Sequence, residues 1–537
     1  MTRPAPSGPA GPAPSRTGAD LLCDTLLAEG VDTCFANPGT SEMHFVAALD
    51  RQPRMRCVLG LAEGVVSGAA DGYARMADRP GCTLLHTGPG LANALANLHN
   101  ARRAFTPMVN IVGDHAVHHL PFDAPLTADI DSLARPMSHW VGRSTSADQL
   151  GEAAAQAVRE ACTPPGRIAT LVLPADHAWG ATSAPVPAPG PRPQPAAPDP
   201  EALARAIGAL RQATPGDSTC LFIAGRALRE EGLAIAARIA AATGVRLLTQ
   251  QANARVQRGL GRVMIDRVPY VVDKALAFLA GTRRMILVGS KAPVGFFAYP
   301  GKPSSMLPPA CEVITAAAPG DDLLATLREL AQAVGAAPQG PAPEAFVAQR
   351  RELPLPAGPL TAAAVAQAVV ALLPEQAVVV DEMVSSGREF FPMSWHAAPH
   401  DYLQITGGAI GQGLPSATGA AIGAPGRKVV TLQADGSAMY TVQALWTQAR
   451  ERLDVVTVIF SNRRYAILHG ELQAVGAGAP GVNARRLFDL EDPALDWVAL
   501  ARGMGVEGAR AATAEQFNDL FAAACRRAGP FLIEAVL

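Results

Sequence analysis

The stretch KVVTLQADGS, residues 428–437, carries the local pattern that decides the fold of the last third of this chain. It is an apolar run that ends in Asp435, and a second apolar run, DVVTVIFSN at 454–462, ends in Asn462. Two such runs joined by a helical segment predict a β-α-β unit, in which both strand ends meet at one edge of a parallel sheet. Asp435 and Asn462 are 27 residues apart and are therefore expected to lie close together. Their side-chain oxygens are hard ligands of the kind that Mg²⁺ shares with phosphates, so the pattern predicts a magnesium site.

The residues that follow Asp435 are also suited to a phosphate ligand. Gly436 allows the backbone to approach a ligand closely, and the Ser437 hydroxyl can donate to a phosphate oxygen. An ordinary Asp-Gly turn followed by an unrelated asparagine remains the alternative interpretation of this segment alone.

The same alternation of apolar runs and helical stretches extends through the whole chain. The runs at 108–114, 283–289 and 377–382 (MVNIVGD, RRMILVG and AVVVDE) are typical of buried strands. Continuous apolar strands that alternate with helices indicate parallel sheets covered on both faces. We therefore predict an α/β protein with three doubly wound parallel-sheet domains.

Stretches rich in proline and alanine mark the expected domain boundaries, because such sequences favour extended linkers. The predicted segments are a disordered tail at 1–17, a first domain at 18–182, a linker at 183–199, a central domain at 200–335, a linker at 336–357 and a C-terminal domain at 358–537.

Composition excludes several classes of function. The 537 residues are 49% hydrophobic and 17% charged, with a net charge of −2, which does not favour a nucleic-acid or anionic-membrane partner. No apolar run reaches 18 residues, so no transmembrane span is expected. The first residues lack the apolar segment of a secretory signal. The eight cysteines are scattered and form no C-x-x-C pair, which argues against a zinc site or a redox motif. We expect most of them to be small buried core residues in a reducing cytoplasm.

A glycine-rich segment, GGAIGQGLP at 407–415, precedes the metal stretch, and its small residues suit backbone amides facing a diphosphate, although a plain loop is the alternative. With residues 434–462 it resembles the cofactor-binding segment of thiamine-diphosphate enzymes, in which Gly-Asp-Gly precedes an asparagine by about 25–30 residues. Ala434 replaces the first glycine, which costs little if its φ is negative. The resemblance implies these roles: Mg²⁺ ligation by Asp435, Asn462 and the Arg464 carbonyl; cofactor binding by Ser385, Ser386, Gly436 and Ser437; support beneath the cofactor by Ile410; and acceptance of a hydrogen bond from its 4′-amino group by the Gly408 carbonyl.

Four motifs of the first domain resemble the pyrimidine-binding domain of thiamine-diphosphate decarboxylases and acetolactate synthases. They are FANPGT at 35–40, LAEG at 61–64, ADGYAR at 70–75 and HTGPG at 86–90. The resemblance implies that Glu63 bonds N1′ of the cofactor pyrimidine, whereas the alternative is a solvated glutamate at a helix start. It also makes His86 a proton-handling residue and Thr40 a contact for the substrate carboxylate, as in the benzoylformate decarboxylase branch. The alternatives are a structural histidine and a turn threonine.

The expected substrate pocket follows neither branch fully. The positions at which benzoylformate decarboxylases have pocket residues are occupied here by Gln404, Ile467 and Glu471. A phenyl group would leave the polar side chains unpaired, and each unpaired buried polar group costs ~1–3 kcal/mol. We therefore expect a small or polar 2-oxo acid such as pyruvate. The loop FDAPLTAD at 122–129 lacks the Phe-Gln pair of true acetolactate synthases. No segment is assignable to FAD, so FAD is not expected, and Gly225-Arg226 alone is weak evidence for a nucleotide fold.

The resemblance, strongest to acetolactate synthase large-subunit-like proteins, implies covalent catalysis by the cofactor on a 2-oxo acid. Loss of CO₂ would precede protonation to an aldehyde or attack on a second carbonyl compound. A homodimer or homotetramer is implied, with each active site between the first domain of one chain and the third domain of another. A decarboxylase without carboligation and a catalytically silent cofactor-binding partner subunit remain alternatives.

Overall fold

A computed structural model describes residues 16–214 and 218–537. Most of the predicted tail, residues 1–15, lies outside the described residues. Arg16 and Thr17, which the sequence placed in the tail, belong to the first domain. Thr17 and Asp20 form a capping box at the start of the first helix, and Thr17 pairs with Ala181.

The first domain has one parallel sheet with strand order β2-β1-β3-β4-β6-β5. Its strands are β1 (Thr33–Asn37), β2 (Arg56–Leu59), β3 (Gly81–Leu85), β4 (Met108–Asp114), β5 (Trp140–Arg143) and β6 (Ile168–Pro174). Its helices are α1 (Gly18–Ala28), α2 (Met43–Asp50), α3 (Glu63–Ala77), α4 (Thr87–Arg103), α5 (Ile130–Ala134), α6 (Leu150–Cys162) and α7 (Ala175–Trp179). All seven residues of β4 are buried, as its continuous apolar sequence predicts.

The central domain has a smaller parallel sheet with strand order β10-β8-β7-β11-β12. Its strands are β7 (Thr219–Ile223), β8 (Arg246–Thr249), β10 (Asp266–Arg267), β11 (Arg284–Val288) and β12 (Glu312–Ala317). Its helices are α8 (Pro200–Arg211), α9 (Glu230–Thr243), α10 (Val272–Leu279) and α11 (Leu323–Ala333).

The C-terminal domain has the largest sheet, with strand order β17-β18-β16-β15-β13-β14-β9, in which β9 is Val256–Arg258 from the central block. Its parallel strands are β13 (Val378–Glu382), β14 (His400–Gln404), β15 (Val429–Ala434), β16 (Val455–Ser461), β17 (Glu507–Ala511) and β18 (Phe531–Val536). Its helices are α12 (Ala362–Leu372), α13 (Phe390–Met393), α14 (Gly413–Gly423), α15 (Asp435–Ala438), α16 (Ala444–Arg450), α17 (Ala466–Ala474), α18 (Val482–Phe488), α19 (Trp497–Gly503) and α20 (Ala514–Arg526). The predicted α/β class with three parallel-sheet domains is confirmed.

One strand from the central domain pairs with the C-terminal sheet instead of the central sheet, which the sequence did not predict. Strand β9 (Val256–Arg258) joins the edge of the C-terminal sheet, antiparallel to β14. The Arg258 guanidinium lies 3.7 Å from the ring centroids of both Phe391 and Trp395, so a cation–π sandwich fixes this strand. Three residues are too few to show a strand periodicity in the sequence.

The two proline-rich stretches contain only short 3-10 or bridge structure, but they are anchored to the domains. In the first, Arg192 donates to the Glu29 carbonyl, and Ala196 pairs with Asp321 of the central domain. In the second, the Arg238 side chain donates to backbone carbonyls, among them that of Ala337 at 2.6 Å. These linkers therefore hold defined paths over the surface.

The first and C-terminal domains meet through helices α3 and α14. A Cβ on Gly72 would overlap the Ser416 carbonyl, and a Cβ on Gly419 would overlap the Ala69 carbonyl, so only glycine permits this close packing. The Asp71 carboxylate, from the ADGYAR motif, is fully buried there and accepts a hydrogen bond from Gln412. The packing fixes the position of Glu63, the first residue of α3, relative to the C-terminal domain.

The helix lengths bear on whether any helix could span a membrane. The longest in the described part of the chain, α4, has 17 residues, and none there is long and apolar enough to cross a bilayer.

Candidate cofactor and active site

The first and C-terminal sheets have the same connectivity. When strands are counted from the start of each domain, both have the order 2-1-3-4-6-5. In such sheets the chain changes direction between the first and third strands, and ligands bind beyond the carboxyl ends of those strands. The predicted site residues of both domains follow strands at this edge.

The predicted metal residues meet as the sequence pattern requires. Asp435 follows β15 and Asn462 follows the neighbouring β16. Asp435 is 3% exposed, and its carboxylate accepts the Arg463 amide at 2.6 Å and the Gly436 amide at 2.8 Å. Burial raises the pKa of Asp435, whereas these amide hydrogen bonds oppose the rise. Asn462 Oδ1 accepts the Arg464 amide at 3.1 Å, which orients its oxygen within the same loop.

A cavity of about 480 Å³ lies beside these loops. Its lining residues include Ser385, Ser386, Asn462, Arg464 and His469. The loop after β13 and the loop after β16 therefore share one cavity. Among the described residues, no group of three or more His, Cys, Asp or Glu is arranged to hold a metal. One carboxylate, one amide oxygen and one carbonyl fit Mg²⁺ when diphosphate and water supply its remaining ligands.

The conformation of the Ala-Asp-Gly-Ser turn explains why alanine fits at position 434, where the family pattern has glycine. Ala434 has φ −73°, so its side chain meets no backbone strain. Gly436 is required for space, because a Cβ there would overlap the Tyr465 ring. The Ser437 hydroxyl donates to the Ala434 carbonyl at 3.1 Å and so stabilises the turn.

The glycine-rich segment differs from the expectation that its amides face a diphosphate. The Gly411 amide donates to Glu382 at 2.6 Å, and the Gly413 amide donates to the other oxygen of the same carboxylate. The Ala409 amide donates to Asn100 Oδ1 at 3.1 Å. These amides therefore hold the loop, because the buried Glu382 carboxylate takes two of them and Asn100 takes the third.

Side chains of α4 clamp the same loop from the first domain. Asn100 Nδ2 donates to the Ala409 carbonyl at 2.7 Å, and Asn97 Nδ2 donates to the Gly411 carbonyl at 3.2 Å. The half-buried Ile410 lies between these two anchored residues. Gly408 has φ +79°, a conformation that favours glycine. The predicted supports of the cofactor thus sit on a loop held from both domains.

The predicted residues of the first domain also converge. Thr40 follows β1, Glu63 follows β2 and His86 follows β3, which are neighbours in the sheet. A Cβ on Gly90 would lie 3.2 Å from Glu63 Oε1 and 3.4 Å from His86 Cβ, so Glu63 and His86 flank this glycine. Asn93 Nδ2 donates to Glu63 Oε2 at 3.1 Å. Glu63 and His86, the two residues predicted to handle protons, therefore both lie next to Gly90.

A buried carboxylate that the sequence reading missed holds His86. Glu42 is 0% exposed, and its Oε2 lies 2.9 Å from His86 Nδ1. The Ser41 hydroxyl lies 3.2 Å from the same ring nitrogen and donates to Glu42. Thr40 is exposed at the start of this 3-10 turn. His86 therefore has an ordered partner, whereas the exposed Thr40 side chain has no hydrogen-bond partner among the described residues.

The predicted pocket residues have protein partners, which corrects the substrate argument. Gln404 Oε1 accepts the Asn253 amide at 3.1 Å. Glu471 accepts hydrogen bonds from the hydroxyls of Tyr270 at 3.3 Å and Tyr299 at 2.7 Å. The cost of unpaired polar groups, on which the preference for a small or polar substrate rested, does not arise here. Ile467 is half-buried on the same helix as Glu471.

Aromatic residues of the central domain border this region, although the sequence showed few aromatics. The Phe296 ring lies against the Gly408 backbone, since a Cβ on Gly408 would overlap it. Tyr270 packs on Phe296 with ring centroids 5.6 Å apart. These residues lie about 100 or more positions before the C-terminal motifs, so no local spacing could have indicated them.

Comparison with known proteins identifies the class. The family described as thiamine pyrophosphate enzyme, N-terminal TPP binding domain, matches residues 16–134, and the C-terminal TPP binding domain matches residues 386–535. Thiamine pyrophosphate is another name for thiamine diphosphate. The chain belongs to the thiamine-diphosphate-dependent enzymes, and this part of the sequence prediction is confirmed.

Individual relatives come from both branches that the sequence suggested. A Mycobacterium tuberculosis protein provisionally named acetolactate synthase large subunit IlvX is 49% identical over 97% of this chain and 99% of its own length. Benzoylformate decarboxylase of Pseudomonas aeruginosa is 30% identical over 95% of this chain and 97% of its own length. Among solved structures, a thiamine-diphosphate-dependent 4-hydroxybenzoylformate decarboxylase of Rhodococcus jostii is similar, with a TM-score of 0.81 and 26% identity. The match covers 97% of this chain and 99% of the other.

Proposed function

We propose that this protein is a thiamine-diphosphate- and Mg²⁺-dependent enzyme that decarboxylates 2-oxo acids and transfers the remaining group to a second carbonyl compound, as acetolactate synthases do. The single observation that carries the proposal is the meeting of the Asp435 and Asn462 loops beside the cavity that contains Ser385 and Ser386. The 49% identical relative, whose name includes acetolactate synthase, supports the same activity.

The residues of the C-terminal domain would hold and shape the cofactor. Asp435, Asn462 and the Arg464 carbonyl would bind Mg²⁺, and the Ser385-Ser386 loop would bind the diphosphate. Ile410 would support the cofactor from below, and Glu382 would keep its loop in place. When bound, thiamine diphosphate supplies the nucleophilic carbon and the electron sink that a 2-oxo acid needs to lose CO₂.

The residues of the first domain would handle protons and substrate. Glu63 would hold a proton at N1′ of the cofactor pyrimidine. His86 would exchange a proton with the reacting substrate, and Thr40 would hydrogen-bond its carboxylate. A homodimer or homotetramer, in which these residues face the metal site of another chain, and a cytoplasmic location complete the proposal. FAD is not part of it.

A second candidate is a 2-oxo-acid decarboxylase without carboligation. The observation that favours it is the Glu42–His86 pair, which provides an oriented proton donor and acceptor near Glu63. The benzoylformate decarboxylase relative supports this candidate. Protonation in place of carboligation would release an aldehyde.

The test is incubation with thiamine diphosphate, Mg²⁺ and a panel of pyruvate, benzoylformate and 4-hydroxybenzoylformate, with assays for CO₂, aldehydes and acetolactate. We expect CO₂ and acetolactate from pyruvate, with activity lost in excess EDTA and restored by Mg²⁺. Aldehyde without acetolactate would replace the first candidate by the second. Cofactor binding without any product would instead indicate a silent partner subunit.

A further inference from the structure

The Glu42 carboxylate is a buried charged group beside His86 whose own part in the reaction the proposed function leaves open. It lies on the 3-10 turn Thr40–Glu42 between β1 and α2 and has no exposed surface. An unpaired buried carboxylate is very costly, but this one accepts the Gly39 amide at 2.7 Å and the Ser41 hydroxyl. Its remaining close partner is His86 Nδ1 at 2.9 Å.

Two glycines clear the space for this arrangement. A Cβ on Gly113, in β4, would overlap Glu42 Oε1. A Cβ on Gly39 would overlap the His86 ring. Neither glycine has a positive φ, so space rather than backbone conformation requires glycine at both positions. The carboxylate and the imidazole therefore occupy a site whose shape depends on residues from separate strands and turns.

The hydrogen-bond chemistry of the pair selects one tautomer. A carboxylate only accepts hydrogen bonds, so a bond to Glu42 requires the proton of a neutral His86 to be on Nδ1. The other nitrogen, Nε2, then carries the lone pair, and it contacts no hydrogen-bonding group among the described residues. A fixed partner on one ring nitrogen is the usual way to set the role of the other.

We propose that Glu42 is a positioning residue that holds His86 as the Nδ1–H tautomer and presents Nε2 as the proton acceptor and donor for the reaction. This inference rests on the proposed function for its reaction, but not for the tautomer itself. In serine proteases, replacing a carboxylate in the same relation to a histidine by its amide lowers kcat about 10⁴-fold, because the wrong tautomer forms.

The first test measures the tautomer without any turnover. Magic-angle-spinning ¹⁵N spectra of histidine-labelled holoenzyme at pH 9 distinguish protonated from unprotonated ring nitrogens, and the His86→Gln variant identifies the His86 signals. We expect a protonated Nδ1 and an unprotonated Nε2 in the wild type, and a shift towards protonated Nε2 in Glu42→Gln. A wild-type His86 with its proton on Nε2 overturns the proposal.

The second test is kinetic. Glu42→Gln should lower kcat by about 10²–10⁴-fold while the Kd for thiamine diphosphate changes less than about threefold. Glu42→Asp, which keeps the acceptor, should recover part of the lost kcat. Glu152→Gln, an exposed glutamate in the same domain, is the matched control and should behave as wild type. An unchanged kcat in folded Glu42→Gln overturns the proposal.

The two tests separate this proposal from the proposed function. If no 2-oxo acid is consumed by the wild type, the function fails, but the ¹⁵N spectra still decide the role of Glu42. If Glu42→Gln does not fold, the wild-type spectrum and the Glu42→Asp kinetics decide instead. Ser41→Ala, which removes only the hydroxyl, should keep the Nδ1–H tautomer, and loss of that tautomer would assign the orienting role to Ser41.

Discussion

The first and C-terminal domains share a strand order but place different groups at the carboxyl ends of their strands. Each has a buried glutamate near the end of its first strand, Glu42 after β1 and Glu382 at the end of β13. Glu42 binds an imidazole, whereas Glu382 binds the backbone amides of Gly411 and Gly413. On the proposed function, the same connectivity would support a proton-handling edge in one domain and a metal- and diphosphate-binding edge in the other. Function resides in the few residues beyond the strands, not in the sheet.

We expect the largest effect on cofactor binding from a change at Asp435 in the C-terminal domain. Asp435→Ala should remove the only carboxylate among the predicted ligands, and Mg²⁺-dependent binding of thiamine diphosphate should weaken by more than about 100-fold, since even outer-shell changes can cost 10–100-fold in metal affinity. Isothermal titration calorimetry at several Mg²⁺ concentrations measures this effect. Asp519→Ala, at an exposed position on α20, is the control. Unchanged binding in Asp435→Ala would exclude this edge as the metal site.

Glu63→Gln should affect kcat more than cofactor binding, because the proposed role of Glu63 is to hold a proton rather than to bind the metal or diphosphate. Glu63→Gln should leave the Kd for thiamine diphosphate within about tenfold while kcat falls about 10²–10⁴-fold, the usual contribution of a positioned acid or base. Paired calorimetry and steady-state assays measure the two quantities, with Glu152→Gln as the control. Full activity in Glu63→Gln would refute its proton role and remove one half of the comparison.

Glu382, the buried glutamate of the C-terminal domain, should make the stability of the protein depend on pH. Burial raises the pKa of Glu382 to about 7 from its ordinary value of 4.5. Because the folded pKa is raised, the stability that this group contributes is fully present below pH 4.5 and is lost as the pH rises through about 7. The loss is about 3 kcal/mol at about 1.4 kcal/mol per pH unit.

Glu382→Gln isolates that contribution because it resembles the protonated acid. Its Tm minus that of the wild type should increase from pH 4.5 to 7 and then level off, as measured by thermal unfolding of the cofactor-free protein. Glu375→Gln, at an exposed position before β13, should show no such trend. A pH-independent difference for Glu382→Gln would show that the carboxyl group does not titrate in this range.

The sequence predicted the sheets and the residues that follow their strands, because both depend on local patterns. The spacing from Asp435 to Asn462 is a property of one β-α-β unit. Contacts between distant segments were not accessible in this way. Nothing near Glu42 indicates that His86 meets it, and nothing near Glu471 indicates Tyr299. The glycine segment shows the same limit, since its amides are taken by a glutamate from another strand.

Substrate preference tests a contact that the sequence did not predict. Phe296→Ala should remove the ring that lies against Gly408 and raise kcat/KM for benzoylformate relative to pyruvate by about tenfold, the usual size of such pocket effects. Competition assays measure the ratio. Val313→Ala, an exposed apolar residue of the same domain, is the control. An unchanged ratio would place the substrate away from this aromatic wall.

The smallest expected effect is at Ala434, where the chain departs from Gly-Asp-Gly. Because Ala434 already has φ −73°, Ala434→Gly should change the Kd for thiamine diphosphate less than about threefold, and the added chain entropy of glycine should lower the Tm slightly. Gly436→Ala is the informative contrast, since its Cβ would overlap the Tyr465 ring and should weaken cofactor binding strongly. Calorimetry on both variants measures the difference. A gain of tenfold or more in Ala434→Gly would mean that alanine impairs the site, and that result would favour a silent partner subunit over an enzyme.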